Sequence, residues 1–224
     1  MDTSKISIIE NILNANDQIA EENAQLLRNH KIFSINFMAS PGAGKTSLII
    51  QTIQHLTKDI RMAVIEGDTA AVTIDAEKIQ SAGIPAVQIN TGGNCHLDAS
   101  MIKNALKQLS LEQLDLIIVE NVGNLICPAA FKLGTAINVV ISSIPEGDDK
   151  PYKYPNIYRG IQALIINKID LKSHVDFDTT YFTRGIRALN PGVTIFEVSC
   201  KSGEGINQWI DWAKSKISTF KHEC

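Results

Sequence analysis

Short apolar runs alternate along the chain with longer segments of helical period. The runs are KIFSINF (31–37), RMAVIEG (61–67), PAVQIN (85–90), LDLIIVE (114–120), AINVVISS (136–143), IQALIIN (161–167) and VTIFEVS (193–199). Several are apolar at every central position, which predicts parallel strands covered on both faces. Between them the 3.6-residue period predicts helices near 45–57, 73–82, 97–109, 175–188 and 204–219, each long enough for a crossover. The expected fold class is α/β: a mostly parallel central sheet of about seven strands flanked by helices. Ahead of the first strand, Ile8, Ile9, Ile12, Leu13, Ile19, Leu26 and Leu27 recur among charges. That pattern predicts one or two amphipathic helices packed on the sheet or on another subunit. The expected organisation is an N-terminal helical extension over 1–30 and one sheet domain over 31–224.

Composition narrows this picture. With 224 residues, 44% hydrophobic and 20% charged, the chain can bury one substantial core. Cys95, Cys127, Cys200 and Cys224 are too scattered to read as a disulfide framework, and MDTSKISIIE lacks the basic and apolar regions of a secretory signal. A reducing cytoplasm is the expected location. Even LDLIIVENVGNLICPAAF is interrupted by charges and amides, so no membrane span is expected. A net charge of −3 with mixed signs offers no basic stripe, which argues against nucleic acid as a partner.

The strongest chemistry follows the first strand, in MASPGAGKTSLII (38–50). Gly42 and Gly44 let the backbone through Pro41 and Ala43 turn its N–H groups toward phosphate oxygens. Lys45 adds an ammonium, Thr46 offers a hydroxyl to Mg²⁺, and Ser47 continues into the helix. This is a P-loop with Ala39 where the pattern usually opens with glycine, and it predicts the P-loop NTPase fold. Asn167-Lys168-x-Asp170 follows the sixth strand, and its carboxylate suits the N1–H and 2-amino group of guanine. GTP is therefore expected over ATP, which argues against an ATP-dependent kinase. Ser199, Cys200 and Lys201 match the S-A-K loop that follows in such proteins, with Cys200 as a packing residue. Asp68 and Glu120, at strand ends, are the expected carboxylates for Mg²⁺. Asp75 is a candidate for positioning the attacking water or contacting a partner, with a helix N-cap as the alternative.

INTGGNCHLDAS (89–100) sets Cys95 beside His96, and Cys127 follows in ENVGNLICP; both segments leave the carboxyl edge of one sheet. Two thiolates and an imidazole suit Zn²⁺ or Ni²⁺ and leave a four-coordinate site one ligand short. A nucleophile with its base ranks below metal, because adjacent side chains on an extended segment point apart. Simple packing cysteines are the other alternative, and they would leave a G protein that acts only as a nucleotide-switched binding module.

ASPGAGKT, EGDTAAVTIDAEKI, GGNCHLD, ENVGNLICP, EGDDKPYKYP and NKID in this order resemble the hydrogenase nickel-incorporation GTPases of the HypB family, within the SIMIBI class of P-loop GTPases. The resemblance covers residue 30 to the C-terminus. It implies a GTP-hydrolysing metallochaperone that passes through GTP and GDP states and assists nickel insertion into the large-subunit precursor of [NiFe] hydrogenase. It also implies a HypA-like partner, a GTP-dependent homodimer, and a Ni²⁺ or Zn²⁺ site of Cys95, His96 and Cys127 at or near the dimer interface. Urease accessory GTPases of the UreG type share the P-loop and N-K-x-D but carry Cys-Pro-His at the metal loop. Residues 1–37 hold no cysteine and only His30, unlike relatives with a nickel-storing tract. SIPEGDDKPYKYP (143–155) resembles a family segment whose charges and prolines make a structured loop, with nucleotide-state sensing or dimer contact as its candidate roles and a solvated loop as the default.

Overall fold

A computed structural model describes residues 8–68 and 83–223. The helix expected over 73–82, and Asp75 with it, lie outside the described residues. Seven strands form one wholly parallel sheet: β1 Phe33–Ala39, β2 Met62–Asp68, β3 Ala86–Asn90, β4 Leu116–Glu120, β5 Ile137–Ser143, β6 Ala163–Asn167 and β7 Thr194–Glu197. Their order is β3-β2-β4-β1-β5-β6-β7, so the chain reverses direction of travel on either side of β1. Parallel strands need crossovers, and helices α1 Ile8–Asn29, α2 Lys45–Leu56, α3 Ala99–Leu106, α4 Lys150–Lys153, α5 Pro155–Arg159, α6 Thr179–Leu189 and α7 Ile206–Glu223 lie around the sheet. Among the described residues no helix is long and apolar enough to cross a membrane.

Strand alternation divides the core. Ile35, Phe37, Val64, Ile118 and Val139 face α2 and α7, whereas Ala63, Ile65, Ile117 and Val119 face α1 and α3. On the first face the fully buried Trp209 donates its indole N–H to Thr52 Oγ1 at 2.9 Å, tying α7 to α2. On the second, α1 is a single 22-residue helix fixed by buried amides. Asn23 donates to the carbonyls of Ala99 and Leu133 at 2.8 and 3.1 Å, and Asn16 accepts from Ala99 N at 2.9 Å. Gly134 allows the close approach, since a Cβ there would lie 2.2 Å from Ala20 O.

The segment 143–155 is structured, as its resemblance implies, rather than the solvated loop expected by default. Ser143 and Glu146 form a capping box, prolines sit in the first turn of both short helices, and Pro151 and Ile144 are buried. Tyr152 stacks on Tyr181 of α6 with ring centroids 4.5 Å apart. Dense charge hid a run whose prolines and tyrosines are what pack.

At the amino end of β4, Asp115 accepts from both Nε and Nη2 of Arg61 at 2.9 and 3.0 Å and from Lys221 Nζ at 2.7 Å. The Arg61 hydrogen bonds hold its carboxyl well below the usual range. A depressed carboxyl contributes stability above its ordinary pKa of about 3.9 and loses it as pH falls toward the folded value. Asp115→Asn is therefore expected to lower the urea midpoint at pH 7, with the gap to the parent shrinking below about pH 4. A gap of equal size at pH 7 and pH 3 would count against this account.

Candidate functional site

The carboxyl ends of β1, β2 and β4 open onto a cavity of about 700 Å³. Its floor is the P-loop, where Gly42 and Gly44 have φ of +77° and +99°, values at which other residues are strained. Ala39 ends β1 with ordinary backbone geometry, so the missing glycine leaves no strain. Lys45 opens α2, and its neighbour Thr46 donates its hydroxyl to Glu120 Oε1 at 2.8 Å. Pro41, Ser47 and Asp68 line the same cavity. Thr46, Asp68 and Glu120 together present only hard oxygen donors, a set that fits Mg²⁺.

A second cavity of about 360 Å³ adjoins the first across Gly44, Ser47 and Lys168. Asn167, Asp170, Cys200 and Lys201 line it, so the residues expected to read the base converge. Asn167 is buried and fixes the arrangement: its amide donates to Ala43 O at 3.0 Å, and its carbonyl accepts from Lys168 N at 2.8 Å. Lys168, at φ +61°, reaches Gly42 O at 2.7 Å. Ser199 donates to Asp170 Oδ1 at 2.6 Å. Burial pushes the Cys200 thiol up to about 11, in keeping with a packing residue.

Cys95 forms part of the rim of the phosphate-side cavity, and the structure brings it, His96 and Cys127 together. Their ligand atoms all lie within 4.8 Å of one another. The sulfurs approach to 2.7 Å, and Cys95 Sγ lies 3.9 Å from His96 Nδ1. The chain bends at Cys95 and His96, so the expectation that neighbouring side chains point apart there is corrected: the Gly92–Gly93 turn, both at positive φ, abolishes the extended backbone it assumed. The hydrogen bond with Cys95 raises the Cys127 thiol, and burial lowers His96, favouring the neutral imidazole that ligates metals. His96 is stacked on Phe131 at 3.9 Å between centroids. Asn124 spans the two loops, donating to Cys95 O at 3.2 Å and accepting from Ile126 N at 2.9 Å.

Three residues at the site escaped sequence reading. Glu66, buried opposite Glu120 in the β2–β4 ladder, lines the phosphate-side cavity; its place two residues before Asp68 was the available signal. Glu146 accepts a hydrogen bond from Ser40 of the P-loop across 106 residues, which no local pattern announces. Asn121, one position beyond Glu120, is 1% exposed and bonds to Leu97 N at 3.1 Å.

A P-loop floor, a flanking N-K-x-D pocket and a thiol–imidazole cluster on the rim define a P-loop nucleotide-binding protein with a metal-type ligand set beside its phosphate cavity. Residues 34–197 match the family model described as CobW/HypB/UreG, nucleotide-binding domain. The chain is 44% identical to the hydrogenase maturation factor HypB of Azotobacter vinelandii, over 96% of this chain and 70% of that one. HypB from Helicobacter pylori, solved in complex with nickel, superposes with a TM-score of 0.87 at 36% identity, covering 92% of this chain and 96% of that one. HypB from Archaeoglobus fulgidus gives 0.85 at 37% identity, over 91% and 99%. The chain belongs to the CobW/HypB/UreG nucleotide-binding family and, within it, to the HypB maturation factors.

Gly44 offers a test of how the two cavities share a wall. A Cβ there would lie 2.3 Å from Asn167 Nδ2, on a backbone already left-handed. Gly44→Ala is expected to destabilise the fold by about 1–3 kcal/mol and to weaken nucleotide binding. Thermal unfolding with and without GDP reads both, and an unchanged midpoint would refute the close contact.

Proposed function

We propose that this chain is a GTP-hydrolysing metallochaperone that binds Ni²⁺ or Zn²⁺ and assists nickel insertion into [NiFe] hydrogenase. One observation carries the reading: Cys95, which belongs to the metal-type cluster, also lines the cavity of Lys45, Thr46 and Glu120. In this reading residues 31–224 are the GTPase domain and 1–30 its helical extension. The P-loop amides and Lys45 hold the phosphates, Thr46, Asp68 and Glu120 hold Mg²⁺, and Asn167, Lys168, Asp170 and the 199–201 loop hold guanine. Mg²⁺ supplies charge neutralisation on the phosphate oxygens, while the chain's own residues fix the geometry of transfer. Asp75 positions the attacking water.

The metal is cargo. Three side chains leave one position of a tetrahedral site open, and a second protomer or water closes it. Ile126, 66% exposed beside Cys127, supports a pairing surface at that point. GTP closes the homodimer and alters metal affinity, and hydrolysis reverses both. A HypA-like metallochaperone and the hydrogenase large-subunit precursor are the partners, in a cytoplasm reducing enough to keep the thiols free.

Titration of metal-stripped protein with Ni²⁺, in GDP and in a non-hydrolysable GTP analogue, is expected to give affinities differing by about 5- to 150-fold, with a dimer in the analogue state only. Cys95→Ala and Cys127→Ala should each abolish stoichiometric binding. Equal affinity in both nucleotides would sink the coupling. Guanine selectivity is checked separately: Asp170→Asn should narrow the preference for GTP over ATP in competition binding, and an unaltered preference would reject Asp170 as its reader.

A further inference from the structure

The sheet face opposite α2 buries a row of amides where apolar side chains would be expected. Asn36 and Asn121 are 2% and 1% exposed, on β1 and just beyond β4, and Asn138 of β5 is half-buried beside them. Asn36 Nδ2 donates to Asn138 Oδ1 at 2.9 Å, and Asn121 Nδ2 donates to Asn36 Oδ1 at 3.2 Å. Asn121 Oδ1 accepts from two main-chain donors, Leu97 N at 3.1 Å and Val122 N at 2.9 Å. Those two N–H groups fix which end of the amide is oxygen, and the direction of the whole row follows. Buried amides add little to stability compared with well-packed apolar groups, so a satisfied row of them specifies a position rather than strengthening a core.

The position specified is that of Leu97. It follows His96 directly and precedes Asp98, whose side chain caps α3 by accepting from Met101 N. The Leu97 side chain is fully buried over Gly67, where an added Cβ would lie 2.6 Å from it. Gly67 stands between Glu66 and Asp68, and Asn121 stands next to Glu120. Leu97 is thus held by its main chain from the Glu120 side and by its side chain from the Asp68 side. The segment leaving Asn121 also passes over the P-loop, with the site of a Gly123 Cβ 3.1 Å from Pro41.

We infer that Asn121 is a positioning residue that sets the Cys95–His96 loop against the end of β4, and so makes metal affinity respond to the nucleotide at Glu120. This rests on the metallochaperone reading above. Asn121 stands in the lining of the phosphate-side cavity, but its side-chain amide is engaged by Leu97 N, Val122 N and Asn36, so it acts through the Leu97 amide.

The test measures a ratio. Ni²⁺ affinity is determined in GDP and in a non-hydrolysable GTP analogue for the unmodified protein and for Asn121→Ser, whose hydroxyl is too short to hold both Leu97 N and Asn36. The ratio between nucleotide states is expected to fall to about 1 in the variant, from the 5- to 150-fold range usual for coupled sites. A merely structural role would weaken both states alike and preserve the ratio, which overturns the inference and leaves the proposed function standing. No Ni²⁺ binding by the unmodified protein would overturn the proposed function and the inference together. Should Asn121→Ser fail to fold, amide hydrogen exchange on the unmodified protein decides: Leu97 N–H is expected to exchange at different rates in the two nucleotide states. Equal rates would overturn the inference.

Discussion

At the carboxyl end of β4 two consecutive side chains point to opposite faces of a sheet covered on both sides, and both are polar. Alternation leaves no choice about direction: if Glu120 faces α2, Asn121 must face the α1 and α3 side. Each is buried, at 6% and 1% exposure, so each must find partners inside the protein or lose the free energy of its hydration. Glu120 finds Thr46 of the P-loop, and Asn121 finds Asn36 and the Leu97 amide. The phosphate cavity and the anchoring of the thiol loop are consequences of that one dipeptide, because each partner bond draws a different loop to the same strand end.

Much of this was legible from sequence where the information is local. Seven apolar runs gave seven strands, and the P-loop, N-K-x-D and Cys-His segments fell at strand ends as their spacing required. A glycine-rich turn, a strand end and a ligand triplet are each encoded within a few residues. Cys95, His96 and Cys127 come together as expected; only the extended backbone assumed between Cys95 and His96 was wrong, and two consecutive glycines nearby were the signal of a bend. Glu146, Asn121 and Asn36 were invisible for another reason. Their partners lie 24 to 106 residues away, and a buried amide in an apolar run looks like a defect until its neighbour across the ladder is known. The short helices over 150–159 were masked by charge: Asp148, Asp149, Lys150 and Lys153 lead into them and read as a polar loop, although the prolines and tyrosines among and after them are what pack.

The chemistry of the cluster supports the proposed metal role. The two sulfurs lie side by side, and the hydrogen bond with Cys95 holds the Cys127 thiol above its usual range. A proton satisfies the pair when the cluster is empty, and a soft or borderline metal satisfies it better by engaging both sulfurs and the neutral His96. On the proposed reading, metal uptake displaces the proton shared by the pair, so Ni²⁺ affinity is expected to rise with pH.

Size decides whether a single amide can matter to coupling between the two sites. Allosteric linkage of about 1–3 kcal/mol is the scale on which one or two buried hydrogen bonds operate, each contributing about 0.5–1.5 kcal/mol net. Nothing larger than the Asn121–Leu97 bond and the seating of Leu97 on Gly67 is needed. A rearrangement of the whole sheet would be far too costly to serve, since its five inner strands are buried and each paired on both sides. Loops at strand ends, each tied to the sheet by one or two directional bonds, are the elements that a nucleotide's differential binding energy is large enough to shift. Cys95, His96 and Cys127, the proposed ligands, stand on such loops, and Glu120, the proposed Mg²⁺ carboxylate, ends the strand that anchors them.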